Sequence, residues 1–465
     1  MVEVAVRPKP VLREEYCKGC ERCVGACTRG CLEAGAQIHP RSGLVPVVFH
    51  SEACNGCGLC VDACPEPFGL VAAETARMLD EASRSLEPRE RAPAAELPWL
   101  RVALPAERPL VLKGTHAAAV GAILAGCRHF FGYPITPSTE GAELMAKLLP
   151  RLGGAFVQAA SEVAAVNMMY GCGAAGRPSM TFTSSPGFSL MLEGISYMIG
   201  AEVPAVFVNV MRGGPGLGNI APEQSDVKLA CRGLGHGNTH AIVLAPATPQ
   251  EMLDFSMLAF GLSFRYRNPV VLVADADVGQ MTGRVLLPRT LAKPGLPDWA
   301  VWGDAAHRRN VVSSILLKEA DLEAHNLHLL EKYARIAAVE ARAELFCCDD
   351  AEVLVVACST PARIAKGVVE VLRREGVAAG LFRPQTLWPF PVGPLLPLLR
   401  RARRLVVVEA SDGQLEDELR LALSHARRGE GIDIEHVRRH GGVLPTHAEI
   451  AKAVRGGATG KAVRA

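Results

Sequence analysis

The sequence lacks long hydrophobic runs and any strong excess of charge of one sign. No stretch approaches the roughly 18 consecutive apolar residues that a membrane-spanning helix needs, and the opening MVEVAVRPKP lacks the apolar core of a secretory signal. The formal net charge is only +2, and no basic run is interleaved with aromatic residues. These absences predict a cytoplasmic protein that binds neither nucleic acid nor a membrane.

Cysteine, in contrast, is abundant and crowded near the N-terminus. Of the 15 cysteines, eight form two matched runs, in which neighbouring cysteines are three or four positions apart. A proline follows the second run. The runs are Cys17, Cys20, Cys23 and Cys27, then Cys54, Cys57, Cys60 and Cys64. In a cytoplasmic chain, such crowding indicates metal ligation rather than disulfides.

The spacing of each run is typical of two four-iron four-sulfur clusters, in which three thiolates bind one cluster and the fourth crosses to the other. Two zinc sites are the alternative, but they would leave the middle cysteine of each run without a role. The predicted ligand sets are Cys17, Cys20 and Cys23 with Cys64, and Cys54, Cys57 and Cys60 with Cys27.

This segment resembles bacterial-type two-cluster ferredoxins, except that Thr28 stands where that family usually has proline, and an extra Cys31 follows. Either Cys27 or Cys31 could be the crossing ligand. The match to the spacing of the second run favours Cys27.

Beyond this segment, β-type runs alternate with helical stretches, which predicts α/β domains with parallel sheets. The predicted organisation is a two-cluster ferredoxin domain, a charged and proline-bearing linker, an α/β domain, a connecting segment with a long helix and a smaller α/β domain. The corresponding residues are 1–75, 76–107, 108–290, 291–345 and 346–465.

Three strings in the central domain carry polar residues where strands end. They are GYPITPSTE (residues 132–140), a segment with Glu162 at a helix start (residues 158–187), and VNVMRGGPGLGN (residues 208–219). Taken alone, Glu162 could be a carboxylate that the helix dipole stabilises, and Arg212 a surface arginine beside a flexible turn.

Together, these strings resemble the alpha-type subunit of 2-oxoacid:ferredoxin oxidoreductases, in the branch that acts on 2-oxoisovalerate or 2-oxoglutarate. The likeness continues through RPQTLWPFP and RHGGVLPT. It implies a thiamine-pyrimidine-type parallel α/β domain at 108–290 and a transketolase-C-terminal-like α/β domain at 346–465, after an N-terminal α+β ferredoxin domain. The string GHGNT (residues 235–239) departs from the GHGDY common near this branch, so the resemblance names no single substrate.

The resemblance also assigns roles to individual residues. Glu162 matches the glutamate that hydrogen-bonds the aminopyrimidine of thiamine diphosphate and makes it reactive, so it is the candidate catalytic residue. Pro134 and Ile135 match cofactor-binding positions. Thr136 matches a residue that contacts the substrate, and Arg212 matches the arginine that pairs with the substrate carboxylate.

Thiamine enzymes also need a Gly-Asp-Gly motif and an asparagine that hold magnesium and the diphosphate, and this motif is missing from the sequence. The resemblance therefore implies a beta-type partner subunit that carries Mg²⁺ and shares thiamine diphosphate. It also implies a small gamma-type subunit, ferredoxin, coenzyme A and a 2-oxoacid.

The predicted reaction is oxidative decarboxylation of the 2-oxoacid to acyl-CoA and carbon dioxide, with electrons passed through the clusters to ferredoxin. Two alternatives stay open on the sequence. One is a non-catalytic electron-transfer and docking subunit, and the other is a thiamine transferase whose clusters are only structural.

Overall fold

The computed structural model describes residues 8–40, 42–66, 68–84, 100–103, 109–293, 295–427 and 431–456. The chain divides into two compact units. The cysteine-rich unit comprises Met1–Pro93 and Ile315–His325, and the large unit comprises Ala94–Ser314 and Asn326–Ala465. Within the described ranges, no helix combines the length and apolar character that crossing a membrane would require.

The helices are α1 (Arg22–Ala26), α2 (Leu59–Ala63), α3 (Ala73–Arg84), α4 (Gly114–Leu124), α5 (Thr139–Leu148), α6 (Glu162–Ala174), α7 (Ser185–Gly200), α8 (Val227–Arg232), α9 (Pro249–Tyr266), α10 (Ala276–Gln280), α11 (Glu319–Val339), α12 (Ser359–Arg374), α13 (Val392–Leu395), α14 (Gln414–His425) and α15 (His447–Arg455).

The strands are β1 (Val11–Leu12), β2 (Leu32–Glu33), β3 (Val48–Phe49), β4 (Leu70–Val71), β5 (Leu100–Ala103), β6 (Leu110–Lys113), β7 (His129–Gly132), β8 (Ala155–Gln158), β9 (Ser179–Thr183), β10 (Val206–Met211), β11 (Ile242–Leu244), β12 (Val270–Asp275), β13 (Thr282–Val285), β14 (Thr290–Lys293), β15 (Ala343–Phe346), β16 (Val353–Val356), β17 (Ala379–Pro384), β18 (Thr386–Trp388), β19 (Arg404–Glu409) and β20 (Asp433–Arg438).

The cysteine-rich unit repeats one pattern twice. Strand β1 pairs antiparallel with β4 and β2 with β3, while the short helices α1 and α2 contact each other. In each cysteine run, a glycine with positive φ precedes the second cysteine, Gly19 at 63° and Gly56 at 70°. This left-handed backbone, which glycine adopts without strain, turns each run around a common centre.

The large unit contains a seven-stranded sheet in the order β18-β11-β12-β10-β9-β7-β8. All neighbours are parallel except β18, which runs antiparallel to β11. Strands β9, β10 and β12 are buried along their whole length, as expected where helices cover both faces of a parallel sheet. The chain leaves β7 for β8 on one side and then passes to β9 on the other, so the strand order reverses at β7.

A second sheet in the large unit has the order β15-β17-β16-β19-β20, and only β15 is antiparallel to its neighbour. It lies within the predicted C-terminal domain except for β15 at residues 343–346, and α11 lies within the predicted connecting segment. The predicted linker at 76–107 contains the end of α3 and the strand β5, which pairs with β14. Residues 85–99 and 104–107 of that linker lie outside the described residues.

Candidate active site and cluster sites

Four cysteines from both runs meet around one cavity in the cysteine-rich unit. Cys17, Cys20, Cys23 and Cys64 line it together with Leu12, Val47 and Leu70, among others. The fourth cysteine of the second run thus lies beside the first three of the first run. This is the arrangement that two clusters with exchanged fourth ligands require, and these thiols therefore fit a four-iron cluster.

The second set surrounds Cys60, which is buried at the start of α2. Burial raises the pKa of the Cys60 thiol to about 11, and the neighbouring sulfurs of Cys54, Cys27 and Cys57 also raise it. Cys31 is 1% exposed, and its backbone N–H donates to Cys27 Sγ at 3.2 Å. The Cys27 sulfur therefore lies near Cys60, and Cys31 lies beside Cys27 and also near Cys54.

The PITP loop joins β7 to α5 and is held by its own hydrogen bonds and by α10. The N–H and hydroxyl of Ser138 both donate to the Ile135 carbonyl, at 3.0 and 2.8 Å. Gln280 donates to the Pro137 carbonyl at 2.6 Å and to Glu140 at 2.9 Å. Pro134 and Thr136 remain exposed and Ile135 is half-buried, so their side chains are available to a ligand.

Arg212 follows β10 and reaches back to this loop. Its Nη1 donates to the Thr136 carbonyl at 2.8 Å and its Nη2 to the Leu217 carbonyl at 3.1 Å. The Nε is buried and has no hydrogen-bond partner among the described residues. A guanidinium with an unused N–H can still donate to a carboxylate oxygen, so this fork fits a carboxylate ligand.

A buried polar network fixes the backbone of Arg212. The Ser185 hydroxyl accepts the Arg212 N–H at 3.1 Å and donates to Asp226 Oδ2 at 2.5 Å. Asn209 Nδ2 donates to the same oxygen at 2.9 Å. Burial raises the pKa of the Asp226 carboxyl, while these two donors partly offset that rise.

Glu162 is the first residue of α6, whose N-cap is Ser161, with Oγ accepting from the Ala164 N–H at 3.2 Å. The side chain of Glu162 is 5% exposed. A Cβ at Gly187 in α7 would lie 2.5 Å from Glu162 Oε1 and 2.4 Å from Thr183 Oγ1. The missing side chain of Gly187 therefore makes the space that the carboxylate fills, and this cradle fits a carboxylate aimed at a bound pyrimidine.

All these groups follow the carboxyl ends of adjacent parallel strands: the PITP loop after β7, Glu162 after β8, Ser185 after β9 and Arg212 after β10. They therefore share one edge of the sheet, next to the position where the strand order reverses. Open α/β sheets bind their ligands at this position.

Three family models match the chain. Residues 120–293 match the thiamine diphosphate-binding region of pyruvate flavodoxin/ferredoxin oxidoreductases, residues 351–450 match core domain II of pyruvate:ferredoxin oxidoreductase, and residues 16–67 match a 4Fe–4S dicluster domain. The ketoisovalerate oxidoreductase subunit VorB of Methanothermobacter thermautotrophicus is 46% identical over 347 residues, which are 74% of this chain and 97% of the relative. The chain belongs to the 2-oxoacid:ferredoxin oxidoreductases.

Other members of the 2-oxoacid:ferredoxin oxidoreductases are also similar. The 2-oxoglutarate synthase subunit KorA of Archaeoglobus fulgidus is 37% identical over 316 residues, which are 66% of this chain and 90% of the relative. A solved structure of 2-oxoglutarate:ferredoxin oxidoreductase from Magnetococcus marinus, with 2-oxoglutarate, coenzyme A and succinyl-CoA bound, matches with a TM-score of 0.68 and 25% identity. That match covers 82% of this chain and 70% of the other.

These matches confirm the predicted family, the α/β fold class, the two 4Fe–4S clusters and the thiamine diphosphate. Sequence reasoning did not single out Ser185, Gly187, Asn209 or Asp226. A signal for Ser185 and Gly187 was present, because the string SSPG directly follows a buried strand at the same sheet edge.

Proposed function

We propose that this chain is the thiamine-pyrimidine-side subunit of an oxidoreductase for branched-chain 2-oxoacids, with ketoisovalerate as the preferred substrate. In the overall reaction, one 2-oxoacid, one coenzyme A and two oxidised ferredoxins give acyl-CoA, carbon dioxide, a proton and two reduced ferredoxins. The two VorB relatives, which are named for ketoisovalerate, support this substrate, since they are 46% and 45% identical to the chain.

The observation that carries the proposal is the contact between Arg212 and the PITP loop. The guanidinium is held by the carbonyls of Thr136 and Leu217, and its buried Nε–H has no partner among the described residues. We assign this donor to one oxygen of the substrate carboxylate. Thr136, whose side chain is exposed at the same place, contacts the carboxylate or keto oxygen.

Glu162 acts on the cofactor, thiamine diphosphate, rather than on the 2-oxoacid. Thiamine diphosphate supplies the carbon nucleophile and the electron sink that loss of carbon dioxide needs. With the cofactor bound, the Glu162 carboxylate, positioned against Gly187, would hold the proton of the aminopyrimidine, and Pro134 and Ile135 would hold the ring from the loop.

We propose that a beta-type partner subunit supplies the diphosphate and Mg²⁺ site, since the chain lacks the corresponding motif. A small gamma-type subunit and ferredoxin complete the assembly, and coenzyme A is the acyl acceptor. Residues 1–75 form the electron-transfer domain, 108–290 the pyrimidine-binding domain and 346–465 the transketolase-C-terminal-like domain. A cytoplasmic location suits eight thiolates that must stay reduced.

The test is a substrate screen on the complex purified with its partner subunits. Reduction of methyl viologen is followed with ketoisovalerate, pyruvate, 2-oxoglutarate and an aryl pyruvate, each with coenzyme A. We expect the highest kcat/KM with ketoisovalerate. A higher value with 2-oxoglutarate would overturn the substrate assignment, and no activity with any 2-oxoacid would overturn the proposed catalytic role of the complex.

A further inference from the structure

Backbone hydrogen bonds to sulfur are distributed unequally between the two cysteine sets. The Cys31 N–H donates to Cys27 Sγ at 3.2 Å, and the Gly56 N–H donates to Cys54 Sγ at 3.4 Å. Both acceptors belong to the set formed by Cys54, Cys57, Cys60 and Cys27. Among the residues that the structure describes, no N–H of another residue donates to a sulfur of the other set, whose Cys23 sulfur interacts with its own N–H just as the Cys60 sulfur does.

The sequence after each run explains part of this difference. Thr28 to Gly30 form a turn after Cys27 that brings the Cys31 N–H back to the sulfur, with Gly30 at a φ of 62°. After Cys64 the chain continues with Pro65 and Glu66, where the first run continues with Thr28 and Arg29. The Glu66 carbonyl oxygen instead lies 3.6 Å from Cys64 Sγ, so the negative end of its dipole is directed at that sulfur.

Charged side chains beside the set formed by Cys17, Cys20, Cys23 and Cys64 also make an additional negative charge there less favourable. The cavity lined by Cys17, Cys20, Cys23 and Cys64 is also lined by two carboxylates, Glu21 and Glu66, and by one cation, Lys18. Lys18 Nζ is paired with Glu66 at 2.8 Å, so its charge is already balanced. Glu21 has no ion-pair partner among the described residues, so its carboxylate disfavours an additional negative charge in this cavity.

We propose that the two clusters differ in reduction potential, that the cluster bound by Cys27, Cys54, Cys57 and Cys60 has the higher potential, and that Cys31 raises it through its N–H. Each cluster takes up one electron, and N–H bonds to the sulfurs stabilise the extra charge. The first of the two electrons released by each 2-oxoacid therefore resides on this cluster. The inference rests on the proposed ligand sets, and Cys31 acts as a positioning residue rather than as a ligand.

The test is an anaerobic redox titration of the full-length chain with both clusters loaded, followed by electron paramagnetic resonance, without substrate or partner. We expect two one-electron steps. Cys31→Pro removes the N–H. At a fixed potential, we expect the ratio of reduced to oxidised cluster in the higher-potential step to fall about tenfold, which is a shift of that step by ~59 mV to lower potential. The matched variant Cys31→Ala keeps the N–H, so both steps should stay in place.

Glu66→Gln provides a test that does not depend on whether Cys31→Pro folds. It removes a negative charge beside the other set, so the lower step should move to higher potential while the upper step stays. Coincident steps in the parent chain, a shift of the upper step in Glu66→Gln, or loss of a cluster in Cys31→Ala would each overturn the inference. Because no turnover is measured, these results are independent of the roles proposed for Glu162 and Arg212.

Discussion

Gly187→Ala should inactivate the enzyme while leaving the fold intact, because the added methyl group occupies the space of the Glu162 carboxylate. The new Cβ would lie 2.5 Å from Glu162 Oε1 and 2.4 Å from Thr183 Oγ1. Ordinary contact begins at 3.4 Å, so Oε1 must move by about 1 Å. The three atoms nearest to this Cβ belong to side chains rather than to the backbone, and helices favour alanine over glycine by about 1 kcal/mol.

This displacement of Glu162 should lower the catalytic rate rather than the stability of the fold. A misplacement of about 1 Å in a catalytic group can reduce the rate about a hundredfold, because the proton is no longer within hydrogen-bonding reach. We therefore expect kcat in Gly187→Ala to fall about a hundredfold, with KM for the 2-oxoacid little changed. The melting temperature should equal or exceed that of the parent chain.

The assay is steady-state viologen reduction by the complex with its partner subunits, combined with thermal melting of the same samples. Gly171→Ala in α6 is the matched control, since a Cβ there meets nothing within 4 Å. It should keep the parent turnover. If Gly187→Ala stays within about threefold of the parent kcat, the carboxylate is not positioned by this contact and the reasoning is refuted.

Three other substitutions and one pH effect follow from the site and from the second sheet. Glu162→Gln should lower kcat by about a hundred- to ten-thousandfold, and a change of stability alone, about 1 kcal/mol or less, would mean that Glu162 is only a helix-end residue. Arg212→Lys keeps the charge but loses the fork, so KM for the 2-oxoacid should rise more than kcat falls. Ser185→Ala leaves Asp226 with one hydrogen-bond donor fewer, so the free energy of unfolding in chemical denaturation should fall by about 1–3 kcal/mol. KM for the 2-oxoacid should rise as well, and an unchanged KM would show that this network does not position Arg212. Burial lowers the pKa of His436, but the carboxylates of Glu409 and Glu416, which face its ring nitrogens, raise that pKa to about 9. The contribution of His436 to stability is therefore complete below its ordinary pKa, near 6.5, and is lost as pH rises through 9. Melting curves should show a smaller loss between pH 7 and pH 10 in His436→Gln than in the parent chain, and equal losses would contradict this.

The two cysteine runs and the buried strands could be predicted because their signals are local. The repeated spacing is typical of cluster-binding runs, and the uninterrupted apolar runs of β10 and β12 are typical of strands covered on both faces. The positions of Glu162 and Arg212 at strand ends followed from the same patterns. These predictions needed no knowledge of distant contacts.

The rest depends on contacts between residues far apart in the chain. Arg212 binds a carbonyl 76 positions earlier, and no local pattern specifies which carbonyl that is. Asp226 directly precedes the short helix α8, and the sequence around it does not indicate that it accepts a hydrogen bond from the Ser185 hydroxyl. The role of Gly187 depends on Glu162, which it meets only after α6 and α7 have packed together.

Strand β18 has a consequence for how the gene can be divided. It comes from the segment predicted as the C-terminal domain, yet it pairs with β11 and completes the sheet of the pyrimidine-binding domain. Without it, β11 would be an edge strand of three buried apolar residues, and such open edges recruit strands from other molecules and aggregate. A fragment ending near residue 345 would therefore precipitate, and a chimera that exchanges C-terminal segments between relatives must preserve the pairing of β18 with the recipient's β11.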